Sequence, residues 1–164
     1  MANQNPQPEI YTTRHSFASG VAAGTQNIKT IYTNQNSSEE VRIYSLSVNC
    51  VNSGTGAAST ATDFSVRIKI GNSYVPFQEF DLGFVQARDD KTVTFPTPIL
   101  VLFQQPISVE VNWKGGTGQA TTLDPATDVK VSLNAELSLA EVCLPNGQMG
   151  FPREIDQAIP RRSA

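Results

Sequence analysis

Polar and apolar residues alternate along most of the chain with a period of two. From Asp63 to Ile70, Phe64, Val66, Ile68 and Ile70 fall on one side and Ser65, Arg67 and Lys69 on the other. Pro106–Trp113 repeats this, with Ile107, Val109, Val111 and Trp113 set against Ser108, Glu110 and Asn112. The longest run is Asp128–Glu141, where Val129, Val131, Leu133, Ala135, Leu137 and Leu139 alternate with Lys130, Ser132, Asn134, Glu136 and Ser138. Alternation over such lengths predicts half-buried antiparallel strands, because successive side chains leave a strand on opposite faces. A helix would scatter the same apolar residues around its circumference. Weaker candidates are Glu9–Phe17, Asn27–Thr33 and Val41–Cys50, the last with Tyr44, Leu46, Val48 and Cys50 on one face. Val93–Phe95 and Ile99–Phe103 form a further pair of short strands, separated by Pro96 and Pro98. Proline has no amide hydrogen to give a ladder, so these two positions belong at a sheet edge or a bend. About eight strands result, and Phe77–Arg88 alone leaves room for a short turn of helix.

Turn chemistry punctuates the pattern. Gly71-Asn72 marks a tight hairpin, while Asn52–Thr62 and Lys114–Thr127 read as long surface loops. The fold class is therefore all-β: a single antiparallel β-sandwich, a jelly roll of about eight strands, spanning residues 9–142. Residues 1–8, rich in Asn, Gln and Pro, and residues 143–164 are read as extended N- and C-terminal arms. The C-terminal arm keeps Leu144, Met149, Phe151, Ile155 and Ile159, interleaved with Arg153, Arg161 and Arg162. A solvated tail has no need of those apolar residues. Two readings stand: a strap packed on its own domain, or an assembly arm docked on a neighbouring subunit.

Composition narrows the function classes. A chain of 164 residues is long enough to bury a core without disulfides or a structural metal. Charged residues make up 16%, against about 25% in ordinary soluble proteins. Asn, Gln, Ser and Thr replace them, and such neutral groups are cheaper to desolvate than Lys or Glu. That favours a surface meant to meet other protein surfaces. A net charge of −3 gives no basic field to attract a polyanion. Arg153, Arg161 and Arg162 are the basic cluster, and they offer nucleic acid a weak, salt-sensitive contact at most. Cys50 and Cys143 read as two buried thiols or one long-range disulfide. The start of the chain lacks the basic region and apolar run of a secretory leader. The longest apolar run, Ile99–Phe103, is too short to span a bilayer. The expectation is synthesis in the cytoplasm with no membrane span.

Candidate chemistry is sparse. The single histidine, His15, has no GxSxG elbow to accompany it and reads as a strand or loop residue. Asp89-Asp90 and Glu39-Glu40 read as solvated turns and strand leads, without the oxygen-ligand spacing of a calcium loop. Glu79, Asp81 and Glu110 are the carboxylates available for hydrolytic chemistry, but nothing in their spacing pairs them. Gly54-Thr55-Gly56 lacks the lysine and further glycine of a phosphate loop. Trp113, Tyr74 and Phe77 are candidates for a sugar-binding face, although Trp113 is in phase with Val111 and reads as a cap on the core. No catalytic residue, cofactor or metal site is expected.

The stretch Phe95-Pro96-Thr97-Pro98-Ile99-Leu100-Val101, followed by Gln105-Pro106-Ile107-Ser108-Val109-Glu110-Val111-Asn112-Trp113, resembles paired strands of small jelly-roll structural proteins of bacteriophage virions. There a proline-bounded strand leads through a short turn into an I-x-V-x-V strand. The charge-poor body and the Pro/Gln-rich start are similar too, over residues 9–142. The resemblance implies a capsid, vertex or decoration subunit of a virion, made in the host cytoplasm. Its partners would be further copies of itself or other virion proteins. The alternative is a carbohydrate- or receptor-binding sandwich module.

Overall fold

The computed structural model describes residues 6–61, 63–76, 79–115, 122–140, 142–143 and 149–150, the last two pairs as backbone. Seven long strands carry the fold: β1 (Gln7–Phe17), β2 (Gln26–Thr33), β3 (Glu39–Asn52), β4 (Phe64–Ile70), β7 (Thr92–Val101), β8 (Pro106–Trp113) and β9 (Thr127–Leu139). Between β4 and β7 lie two-residue strands β5 (Ser73–Tyr74) and β6 (Phe80–Asp81) and a five-residue helix α1 (Leu82–Gln86). Two further two-residue strands, β10 (Val142–Cys143) and β11 (Met149–Gly150), pair with each other.

The pairing is that of one long hairpin rolled up. β1 pairs β9, β2 pairs β8, and β3 pairs β7, each antiparallel, with β4 next to β5 and β6 at the hairpin's closed end. Rolling brings β3 against β9 and β4 against β8. Two sheets result, ordered β1-β9-β3-β7 and β2-β8-β4-β5. This is the expected all-β antiparallel sandwich, with the strand order of a jelly roll.

The long alternating runs face as read. Val129, Val131, Leu133 and Ala135 of β9 meet Phe64, Val66, Ile68 and Ile107, Val109, Val111 of the opposite sheet in one core. Phe64 stacks on both Phe17 and Trp113, with ring centroids 5.2 and 4.9 Å apart.

Four details depart from the sequence reading. First, β1 begins at Gln7, inside the span read as an arm. β9 offers Leu137 and Glu136 as ladder partners to Gln7 and Pro8, and the ladder extends to use them. Second, Tyr44 does not share the face of Leu46, Val48 and Cys50. A bulge between Ile43 and Ser45 reverses the phase, so Val41 and Ile43 point inward while the Tyr44 hydroxyl donates to Glu136 Oε2 at 2.8 Å. Third, the two short strands around Pro96 and Pro98 form one strand, β7. It lies at a sheet edge, and its register on β3 jumps from Ile99 to Thr94, so that Phe95–Pro98 arch away from the ladder. Fourth, the outward residues Ser108, Glu110 and Asn112 of β8 are buried. β8 has a partner strand on each side, and Thr30 of β2 and Tyr74 of β5 bond Ser108 and Glu110 at 2.9 and 2.6 Å.

Cys50 is a buried free thiol, and burial pushes it up to about 12. Pairing with Cys143 within one chain is excluded by register. Leu139 stands opposite Glu39, eleven residues along β3 from Cys50, or about 36 Å at the rise of a strand. Four residues from Leu139 to Cys143 cover at most about 14 Å.

Phe64→Ala is expected to cost about 3–5 kcal/mol in chemical denaturation, as removal of a buried aromatic does. Ile10→Ala, on the exposed face of β1, is expected to stay within about 0.5 kcal/mol of the parent.

Candidate interaction surface

The two flanks of the sandwich are closed differently. Along the β1/β2 flank, side chains bridge the sheet edges. Tyr11 stacks on Tyr32 at 4.8 Å. The Lys29 ammonium donates to the Arg14 carbonyl at 2.6 Å. His15 is fully buried there, its Nδ1 3.3 Å from Asn27 Oδ1. On the opposite flank, α1 covers one part. The Asp81 side chain caps it by accepting from Phe84 N–H at 3.3 Å, which turns Leu82 and Val85 into the core. The rest of that flank stays open.

The opening is a groove of about 540 Å³ between the arch of β7 and the β5–β6 segment. Val75, Pro76 and Phe80 form one wall, and Phe95, Pro98 and Leu100 are among the residues of the other. Phe80 and Phe95 meet across its floor with centroids 5.8 Å apart. Beyond Leu100 the chain turns at residues 102–105, with Gln104 at φ 61° and its N–H bonded to the Asn34 carbonyl. Leu100, Leu102 and Phe103 are each more than two-fifths exposed, so apolar surface runs from the groove onto the tip of this turn.

The outward face of the β1-β9-β3-β7 sheet is polar and mixes Ser, Thr and Asn with charges of both signs, Arg14, Glu40, Arg42, Asp128, Lys130 and Glu136. Ser47, Asn49 and Ser132 line a shallow depression with Lys91 and Lys130. Asp128, buried on this face, pairs with the Arg14 guanidinium. Burial alone would raise the carboxyl, but Arg14 and the Ser16 and Ser53 hydroxyls hold it below its ordinary range.

The residues singled out for chemistry have structural partners. Glu79 lies 2.5 Å from the Lys114 ammonium, which holds its carboxyl below the usual range. Glu110 accepts from the Tyr74 hydroxyl, and the Arg67 guanidinium lies 3.8 Å from the centre of the Tyr74 ring. Asp81 caps α1. The carboxylates thus share one region of the β4–β8 sheet, each with a structural partner. Asn52 Oδ1 accepts the N–H groups of Gly54 and Thr55 at 2.8 and 3.2 Å, so the Gly54-Thr55-Gly56 loop uses its donors internally. Asp90 accepts from Thr92 N–H in an exposed turn. Among the described residues no group of three His, Cys, Asp or Glu side chains is placed to hold a metal ion, and no helix is long and apolar enough to cross a membrane. Of the sugar-face candidates, Trp113 is buried, Tyr74 is tied to Glu110, and Phe77 lies outside the described residues.

Of the C-terminal arm, Met149 sits in β11, its backbone opposite Cys143. Leu144, Phe151, Arg153, Ile155, Ile159, Arg161 and Arg162 lie outside the described residues. The groove was not read from the sequence. Its signal was the Pro96/Pro98 pair inside a strand of Thr, Val, Phe, Ile and Leu, which forces the arch that forms one wall.

No protein-family model matches the chain, and no curated protein matches it. Among solved structures, a crystal structure of FLHE is similar over 81% of this chain and 98% of that chain, at 13% identity and a TM-score of 0.44.

Burial pushes the His15 imidazole below its ordinary value, and the Lys29 charge adds to this, while the Asn27 bonds oppose it. The unfolded chain takes up this proton near pH 6.5 and the folded one at lower pH. The folded state therefore binds fewer protons, and stability is intact above about pH 6.5 and falls as pH drops below it. Thermal melting between pH 8 and pH 5 is expected to show this loss. In His15→Gln, which has no histidine left to titrate, the slope over that interval is expected to flatten.

Proposed function

We propose that this chain is a virion structural subunit, a capsid, vertex or decoration protein acting through subunit–subunit contacts. The observation that carries this reading is the asymmetry of the sandwich. One flank is sealed by its own side chains, while the other leaves an apolar groove continuous with exposed Leu100, Leu102 and Phe103. Contiguous exposed apolar surface rimmed by polar residues marks an interaction site. The low share of charged residues in the whole chain, 16%, supports the same reading, because Ser, Thr and Asn lose water at modest cost when two surfaces meet. A jelly roll hosts many functions, so the fold is compatible with this role without selecting it. Sugar binding draws on exposed aromatic rings on one face; of the rings read for that role, Trp113 is buried and Tyr74 is half-buried with Arg67 over it.

The full chain is expected to self-associate as its concentration rises from micromolar to millimolar, followed by sedimentation velocity and electron microscopy. Removing residues 144–164 is expected to abolish assembly while leaving the strand-type circular dichroism and cooperative melting of the sandwich. A chain that stays monomeric throughout this range, alone and with virion extracts, overturns the proposal.

A further inference from the structure

Resting on that assembly reading, we infer that the groove between β7 and the β5–β6 segment receives residues 151–159 of a neighbouring copy. Three observations point to this occupant. The first is chemical match. The groove is lined by Val, Phe, Pro, Ile and Leu with Thr94 and Thr97 among them, and residues 151–159 carry Phe151, Ile155 and Ile159 at intervals of four. A volume of about 540 Å³ lies within the roughly 300–1,000 Å³ of sites that enclose a whole ligand, enough for several large side chains rather than one.

The second is position. β9 ends at Leu139 opposite Glu39, while Val101, at the end of β7, stands opposite Val41 on the same strand. Two strand spacings and two residues of rise place the exit of β9 about 12 Å from Val101. The segment joining β2 to β3 ties the two places together: its Ser38 carbonyl accepts Ala140 N–H, and its Asn34 carbonyl accepts Gln104 N–H. The arm thus leaves the sandwich at the end where Leu100, Leu102 and Phe103 are exposed.

The third is symmetry. Donor arm and acceptor groove at one end of each subunit allow a reciprocal contact between copies, in which every subunit gives one arm and takes another. Nine residues extend about 30 Å, enough to cross from one such end to the adjoining one.

The test uses two full-length variants. A groove variant, Leu100→Arg, changes a half-exposed side chain, and Thr97→Arg, at another exposed residue of the lining, serves as an independent second version. An arm variant carries Phe151→Asp, Ile155→Asp and Ile159→Asp. Each is expected to melt close to the parent and to self-associate roughly thirtyfold more weakly or worse, as when a central anchor of an interface is lost. Mixed together, the groove variant supplies an intact arm and the arm variant an intact groove. Sedimentation or native mass spectrometry is then expected to show a one-to-one heterodimer. If the parent assembles and the variants assemble equally well, the groove is not the acceptor and the assembly reading stands. If each variant is impaired but the mixture forms no heterodimer, the arm does not dock in a neighbour's groove, and docking in its own is the outcome. If the parent itself never associates, the assembly reading fails and the inference with it.

Discussion

β9 is held on both sides along its length, by β1 over eleven ladder positions and by β3 over thirteen. β3 also has a partner on each side, but β7 pairs it at only six positions, and the remaining architecture follows from β9. Pairing with β1 brings the two ends of a chain-long hairpin together, which obliges β2 to lie by β8 and β3 by β7. Pairing with β3 rolls that hairpin into two sheets. Val129, Val131 and Leu133 then face Val66, Ile68 and Val109 across the interior, and the apolar side of each sheet has a counterpart to bury against.

A rolled hairpin leaves two open flanks, and the chain treats them unequally. Tyr11, Tyr32, Lys29, His15 and Asn27 join β1 to β2, so side chains replace the missing ladder. Across the molecule the connection from β4 to β7 supplies a short helix and two minimal strands, which cover part of the gap. Pro96 and Pro98 withdraw amide hydrogens from an edge that would otherwise offer them to any passing strand. They also arch the backbone and open the apolar groove. Protection against indiscriminate edge pairing and creation of a shaped, selective surface thus come from the same two residues.

Much of this was legible in the sequence because it is local. Val129 through Leu139 alternate without interruption, and a period of two identifies such a strand and its buried face. The edge position of Pro96 and Pro98 follows from the chemistry of one residue type. What escaped depends on neighbours remote in sequence. Tyr44 reads as sharing a face with Leu46, Val48 and Cys50 because a bulge is a property of two paired strands, invisible in either alone. Glu110 reads as a polar position of a half-buried strand, yet it is buried, bonded to Tyr74 in a strand with a partner on each side. The groove belongs to the edges of both sheets at once, so no single segment announces it. The arm residues were legible as apolar anomalies, but sequence alone did not name a surface to receive them.

The pairing of β1 with β9 also has a consequence in time. Phe17 and Thr127, the nearest partners in that ladder, are separated by about 110 residues. At roughly 5–20 residues per second, a ribosome needs on the order of 5–20 seconds to make β9 after β1 has appeared. Throughout that interval the longest edge of the future sheet has no native partner, and topologies dominated by such distant pairings fold slowly. The polar, proline-led sequence of β1, with Gln7, Pro8, Thr12, Thr13 and Arg14 among its residues, suits a strand that must wait in solution without finding the wrong mate.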